Sequence, residues 1–204
     1  MAESRRFTMG DLALVAVFAG VIAAFTMVPA VPVGPLGVPI TLQTLAVALA
    51  GLLLGPWRGF LAVTLYLLLG FAGLPVFAQG FAGLGVLFQP SAGYLLAFPL
   101  GALTTGWLAL RAVTWSPSRT ARTLALVGAA IVGSILVVHS FGILGLTVNA
   151  GLSIGQAVAA DLIYLPGDLI KCVLAAVVAV TVHRAIPTLL ARPRLVAAEV
   201  SVST

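Results

Sequence analysis

The chain has 204 residues, 61 % of them hydrophobic and only 7 % charged, with a mean hydropathy of +1.21. Soluble domains carry about 25 % charged residues, so a soluble fold could not cover itself and the sequence reads as an all-α integral membrane protein. The net charge of +5 does not call for nucleic acid, because the arginines gather at the ends of apolar segments and act as topology signals. A single cysteine, Cys172, excludes an intramolecular disulfide framework and any multi-cysteine metal site.

A polar tail with Arg5 and Arg6 precedes the first predicted span, residues 12–28. No convincing cleavage site follows, so this reads as a retained span rather than a signal peptide. Asp11 stands at its start, where an acid suits the helix dipole. The span is rich in small residues: Ala16, Gly20 and Ala24 recur at four-residue spacing, as do Ala19 and Ala23. Such ridges let another helix approach closely, whether from the same chain or from a partner. Residues 29–39 form an uncharged loop with Pro29, Pro32, Pro35 and Pro39, which no regular helix accommodates. The second span, residues 40–54, opens on the polar run Thr41-Leu42-Gln43-Thr44. A tight turn, Gly55 to Gly59 with Arg58, leads to the third span, residues 60–74, which contains Tyr66.

Residues 75–92 make a glycine-rich, aromatic, uncharged loop. A loop this apolar is poorly suited to be a solvated tether and is predicted to pack over a site as a lid or lining. Its glycines match no phosphate-binding pattern. The fourth span covers residues 93–110, with Tyr94 at its start; a polar loop with Arg111, Arg119 and Arg122 follows, then the fifth span, residues 124–146, with His139. A polar linker over 147–156 and a short approach carrying Asp161 and Tyr164 lead to Pro166-Gly167 and the sixth span, residues 168–186.

The arginines test this division. They occupy the N-terminal tail, the second–third turn, the fourth–fifth loop and the C-terminal tail, while the other three loops contain no basic residue. That alternation predicts six transmembrane helices in one membrane domain, residues 1–204, in the cell's inner (plasma) membrane with both termini cytoplasmic. Lys171, the only lysine, does not fit as a topology signal.

Asp168 and Lys171 lie three residues apart, on one face of the sixth helix. Charges in a bilayer must face the protein interior, a partner or water. Two readings follow: the pair locks the helix to its neighbours, or it lines a substrate site. In the second, Asp161, Gln43, Gln79 and Thr41 add polar groups and Phe77, Phe81, Phe88, Tyr94 and Tyr164 aromatic ones, the chemistry of a pocket for a small, partly polar molecule. Each has a plainer alternative. Gln43 can serve backbone groups at a helix start, Gln79 can be exposed, and Tyr66 reads as an interfacial belt residue. His139, lone on an apolar span, reads as packed core, and His183 as a membrane-end residue. No metal cluster or nucleophile–base constellation is visible.

Taken together, several segments resemble one family. They are Val38-Pro39-Ile40-Thr41-Leu42-Gln43-Thr44-Leu45-Ala46, Gly51 to Gly59, Gly73-Leu74-Pro75-Val76-Phe77-Ala78, Gly93 to Pro99, and Leu165-Pro166-Gly167-Asp168-Leu169-Ile170-Lys171. In order and spacing they resemble the BioY family, the biotin-specific S components of energy-coupling factor vitamin transporters, over about residues 11–185. The resemblance implies a six-helix biotin binder with no cofactor of its own, biotin being the transported ligand. It maps the family's sixth-helix aspartate and lysine onto Asp168 and Lys171, and makes residues 29–39 and 75–92 the gates of an outward pocket. It further implies docking through small residues of the first helix, here Ala16, Ala19, Gly20 and Ala23, on a membrane-embedded coupling protein served by two cytoplasmic ATPases. One departure is local: Gln89-Pro90-Ser91-Ala92-Gly93-Tyr94 stands where the family usually has Gly-Pro-Thr-Gly-Gly-Tyr.

Three other functions compete with biotin capture. An S component for another vitamin would share the fold, which does not choose the ligand. An intramembrane enzyme would need Asp161 and Asp168 at one reacting centre. A scaffold working through the small-residue ridge would leave Asp168 and Lys171 without a purpose.

Overall fold

The computed structural model describes residues 7–31, 33, 38–115, 118–187 and 189–190. Arg5 and Arg6, the C-terminal tail from residue 191 and part of the loop 29–39 lie outside the described residues. Seven helices organise the rest: α1 (Met9–Thr26), α2 (Gln43–Leu54), α3 (Pro56–Phe71), α4 (Ala92–Trp115), α5 (Arg119–Ala150), α6 (Ile154–Asp161) and α7 (Leu165–Ala185). Four of them, α1, α4, α5 and α7, are long and apolar enough to cross a membrane, whereas α2 and α3 are shorter apolar helices. Two short 3₁₀ segments, Ala78–Gly80 and Leu84–Phe88, lie in the α3–α4 loop. Among the described residues the β-type pairing is confined to one bridge, Val31 with Ile40, which closes the first loop.

Local chemistry sets the helix ends. Thr8 and Asp11 form a reciprocal capping box at α1, and Ser153 and Gln156 do the same at α6. The predicted Gly55–Gly59 turn shrinks to one residue: Gly55 takes φ +80° and Pro56 begins α3, the position where its missing N–H costs nothing. Gly151, at φ +66°, ends α5 in the left-handed conformation common after helices. Pro166 does not break the approach to the last helix. It sits in the first turn of α7, which therefore starts before Asp168.

Two predicted boundaries move outward. Helix α4 continues to Trp115, so Arg111 lies on the helix, its guanidinium 3.7 Å from the Trp107 ring centroid; a cation resting on an aromatic face lets a helix run on past its apolar stretch. Helix α5 absorbs part of the predicted 147–156 linker and is 32 residues long, about 45–50 Å at the helical rise. Its middle, Val132–His139, is wound as π-helix.

Helix α2 sits at the centre, buried on all sides from Ala46 to Leu54, which explains why its sequence shows no polar face. Helix α4 approaches its neighbours through glycines. A Cβ on Gly93 would strike the backbone of Phe141 and Gly145, and one on Gly106 the backbone of Gly55 and Pro56. Close backbone approach is what small residues permit in membrane bundles. On α1 the two small-residue rows separate: Ala16, Gly20 and Ala24 are exposed, Ala23 is half-buried, and Ala19 is packed into the core. Ala19 thus lies off the outward ridge, because the helical step sets it about a hundred degrees round the axis from Gly20.

Candidate functional site

A cavity of about 110 Å³ opens between α2, α4, α7 and the α3–α4 loop. Its walls are apolar and aromatic, with Phe77, Phe81, Phe98, Tyr94 and Tyr164 among them, and Thr41, Gln43, Thr44, Asp168 and Lys171 supply a polar side. Gln79, Gln89 and Ser91 line it from the loop.

Asp168 anchors the polar side. It occupies the first turn of α7, where the helix dipole favours a carboxylate. Its Oδ1 accepts from the Thr44 hydroxyl at 2.7 Å and from Lys171 Nζ at 2.6 Å. Lys171 also donates to Thr44 Oγ1 at 3.2 Å. Asp168 Oδ2 meets His139 Nε2 at 2.9 Å. The other face of the same imidazole, Nδ1, meets Asp161 at 2.8 and 2.9 Å, and Tyr94 donates its hydroxyl to Asp161 Oδ1 at 2.7 Å. One hydrogen-bonded chain therefore runs from Tyr94 on the cavity wall, behind the wall through Asp161 and His139, and back to the cavity at Asp168. Helix packing aims its parts: a Cβ on Gly142 would clash with the Tyr94 ring, so α5 presents a flat seat for that ring.

A second group fastens the loop. The Val76 carbonyl accepts from Thr26 Oγ1 at 2.6 Å and from Tyr66 at 3.0 Å, and Gln43 Nε2 donates to the Tyr66 oxygen at 2.6 Å. Phe77 lies against Gly70, edge-on to Tyr66 and Phe71. At the far end Asn149 Nδ2 donates to the carbonyls of Leu87 and Gln89, each at 2.8 Å. The loop is held at both ends, and Gln79, exposed in the tight turn from Phe77 to Phe81, adopts φ +60°. Gln89 takes φ −78° and Ala92 begins α4 without a positive φ, so neither position needs glycine's conformational freedom.

The structure brings Asp168, Lys171, Gln43, Thr41, Gln79, Tyr94 and Tyr164 to one cavity. Tyr164 is pinned by donating to the Val38 carbonyl at 2.9 Å. Phe88, expected in the lining, instead points away from it and is exposed, and Asp161 stands apart: it is buried behind the wall and reaches the cavity through Tyr94. The belt reading of Tyr66 is corrected, since its side chain is buried in the core and hydrogen-bonded at both lone pair and proton. His139 is packed core by burial, but it also joins two carboxylates. Thr44, within the polar run of α2, is a member of the site that spacing did not single out. A histidine and two acids in consecutive helices were the available signal for the His139 link; their meeting depends on how α5, α6 and α7 pack.

The sequence profile of the BioY family matches residues 1–188. The chain is 41 % identical over 182 residues to the biotin transporter BioY of Rhizobium etli, covering 89 % of this chain and 97 % of that protein. It is 42 % identical over 192 residues to the biotin transporter BioY of Rhodobacter capsulatus, covering 89 % and 98 %. Among solved structures, the S-component for biotin from an ECF-type ABC transporter superposes with a TM-score of 0.80 at 25 % identity, over 90 % of this chain and 95 % of that one. A profile match over nearly all of the chain, together with these full-length relatives, means that the chain belongs to the BioY family.

Proposed function

We propose that the protein captures biotin for an ATP-driven vitamin uptake transporter of the energy-coupling factor type. The observation that carries this reading is the cavity: an acid–base pair set in otherwise apolar, aromatic walls under an anchored loop. Biotin joins a polar cyclic urea to a thioether ring and an aliphatic tail ending in a carboxylate. Such a molecule needs one compact polar clamp and apolar surface elsewhere. Asp168 accepts a ureido N–H and Lys171 donates to a ligand oxygen. Thr41, Gln43, Gln79, Tyr94 and Tyr164 complete the lining, and Asp161 acts from behind it.

The chain works as a transport component and not as an enzyme. Its sequence has no nucleotide-binding loop, so ATP is used by two cytoplasmic ATPases acting through a membrane-embedded coupling protein. The exposed Ala16–Gly20 ridge of α1, with half-buried Ala23 beside it, supplies the small-residue surface for that docking. Residues 1–204 form one domain in the inner membrane, crossing it six times with both termini cytoplasmic. The alternating arginines support this topology, and the short helices α2 and α3 are two of the six crossings. Residues 75–92, with Val38 and Pro39 from the end of the first loop, then cover the pocket from outside.

Calorimetric titration of the detergent-solubilised protein with biotin, with thiamine and riboflavin as controls, tests the ligand. Tight binding of biotin alone is expected. A folded sample that bound another vitamin instead, or none, would overturn the assignment.

A further inference from the structure

The link between the two buried carboxylates stands outside the lining of the cavity, yet ends on its principal acid. Each nitrogen of His139 faces a carboxylate oxygen, Nδ1 toward Asp161 and Nε2 toward Asp168, at 2.8 to 2.9 Å. An ionised carboxylate only accepts hydrogen bonds, and a neutral imidazole has one N–H and one lone pair. A neutral ring would therefore hold a lone pair against a carboxylate oxygen at hydrogen-bond distance, out of water. With a proton on each nitrogen both contacts become charge-assisted. The charges then also balance: Asp161 and Asp168 against Lys171 and His139. Neutral donors also reach each acid, Tyr94 on Asp161 and Thr44 on Asp168. The Tyr94 ring stands edge-on to the imidazole at 5.9 Å.

We infer that His139 is the positioning residue of the site, an imidazolium bridge that holds Asp168 in place and charge-balanced for the ligand. Asp168 Oδ1 is already taken by Thr44 and Lys171. Its orientation about the Cβ–Cγ bond is then set by what grips Oδ2, and that is His139. The oxygen keeps one of its two lone pairs for a ligand N–H. Asp161 has the matching task of supporting the far side of the ring. Removing the bridge leaves Asp161 as a buried carboxylate without a cation. It also frees Asp168 to turn toward Lys171, so capture weakens although no residue of the lining has changed.

This inference rests on the biotin reading, and two measurements on the full chain keep the two apart. The first compares biotin affinity of His139→Gln, Asp161→Asn and the double variant. In His139→Gln the new side-chain amide can replace Nε2 as donor to Asp168, but nothing replaces the positive charge beside Asp161. His139→Gln is expected to lose affinity by about tenfold or more. Asp161→Asn in the same chain removes the stranded charge, so the double variant should regain most of that loss. A residue that only fills space predicts losses that add; additive losses, or native affinity in His139→Gln, would overturn the inference. The second measurement needs neither ligand nor a variant at the site. The chain has two histidines, so ¹⁵N spectra of imidazole-labelled protein, assigned with His183→Gln, report the protonation of His139 directly. Two N–H signals near neutral pH are expected; one unprotonated nitrogen would overturn the bridge. Failure of the native protein to bind biotin, with both N–H signals present, would refute the ligand while leaving the bridge standing.

Discussion

At the scale of single residues, Asp168 carries more of the site than Lys171. It accepts from Thr44, Lys171 and His139, whereas Lys171 has Asp168 and Thr44. Burial strengthens each contact and raises the cost of breaking it. Asp168→Asn leaves two cationic neighbours facing a neutral amide, and is expected to weaken biotin binding by about 2–5 kcal/mol, roughly thirtyfold at least. Lys171→Ala leaves Asp168 with two of its three donors and should lose less. Calorimetry on both variants, with thermal melts as a check on folding, ranks them; equal affinities to the native protein would show that the pair only locks α7 to α2. The pair itself was legible in the sequence, because two opposite charges three residues apart in an apolar helix need a common explanation. Their other partners were not, since nothing in residue spacing brings Thr44 or His139 to Asp168.

At the scale of elements, the α3–α4 loop is a strap fixed at both ends. Val76 and Phe77 tie its start to α1 and α3, and Asn149, near the end of the long helix α5, ties its finish. The Phe77–Phe81 turn, next to its first anchor, carries the strain. A glutamine at φ +60° sits in a region that costs an ordinary residue about 1–2 kcal/mol, and the strained residue lines the cavity. Gln79→Gly relieves the backbone and removes the amide. The expected result is an unchanged or higher melting temperature with a several-fold loss of biotin affinity. A loss of stability without loss of affinity would mean that Gln79 serves the loop and not the ligand. The apolar composition of this segment sufficed to predict a lining and not a tether. Its anchors depended on α5 reaching further than its hydrophobic run suggested, to Asn149.

At the scale of the whole molecule, two proposed surfaces matter: the α1 ridge assigned to docking and the loop side assigned to the outside. The α1 ridge is open at Gly20, where a Cβ would meet nothing within 4 Å. Gly20→Leu should therefore fold and bind biotin normally yet abolish uptake when the coupling protein and ATPases are co-expressed, as measured by labelled-biotin accumulation. Normal uptake would move docking off this ridge. The six-crossing topology is tested by single cysteines in a Cys172→Ser background. Ser4→Cys and Ser203→Cys should resist an impermeant maleimide in intact cells and react after lysis, while Ala82→Cys should react in both. Labelling of both termini in intact cells would reverse the orientation, and labelling of one alone would overturn the even number of crossings.

Residue order was enough to establish that the chain is a helical membrane protein, which loops carry positive charge, and that Asp168 and Lys171 share a buried face. Those facts follow from composition, from charge alternation and from the helical period, all properties of neighbours along the chain. The segments that mark the family are also local. Helix packing, in contrast, settled which α1 row faces out, that Tyr66 is core, that Asp161 stands behind the wall, and that His139 joins the two acids. These depend on helices from distant parts of the chain meeting at a given rotation, through the glycine contacts of α4 and the π-wound turns of α5. No local pattern encodes that rotation, because the cost of a buried charge says that a partner must exist without saying which one.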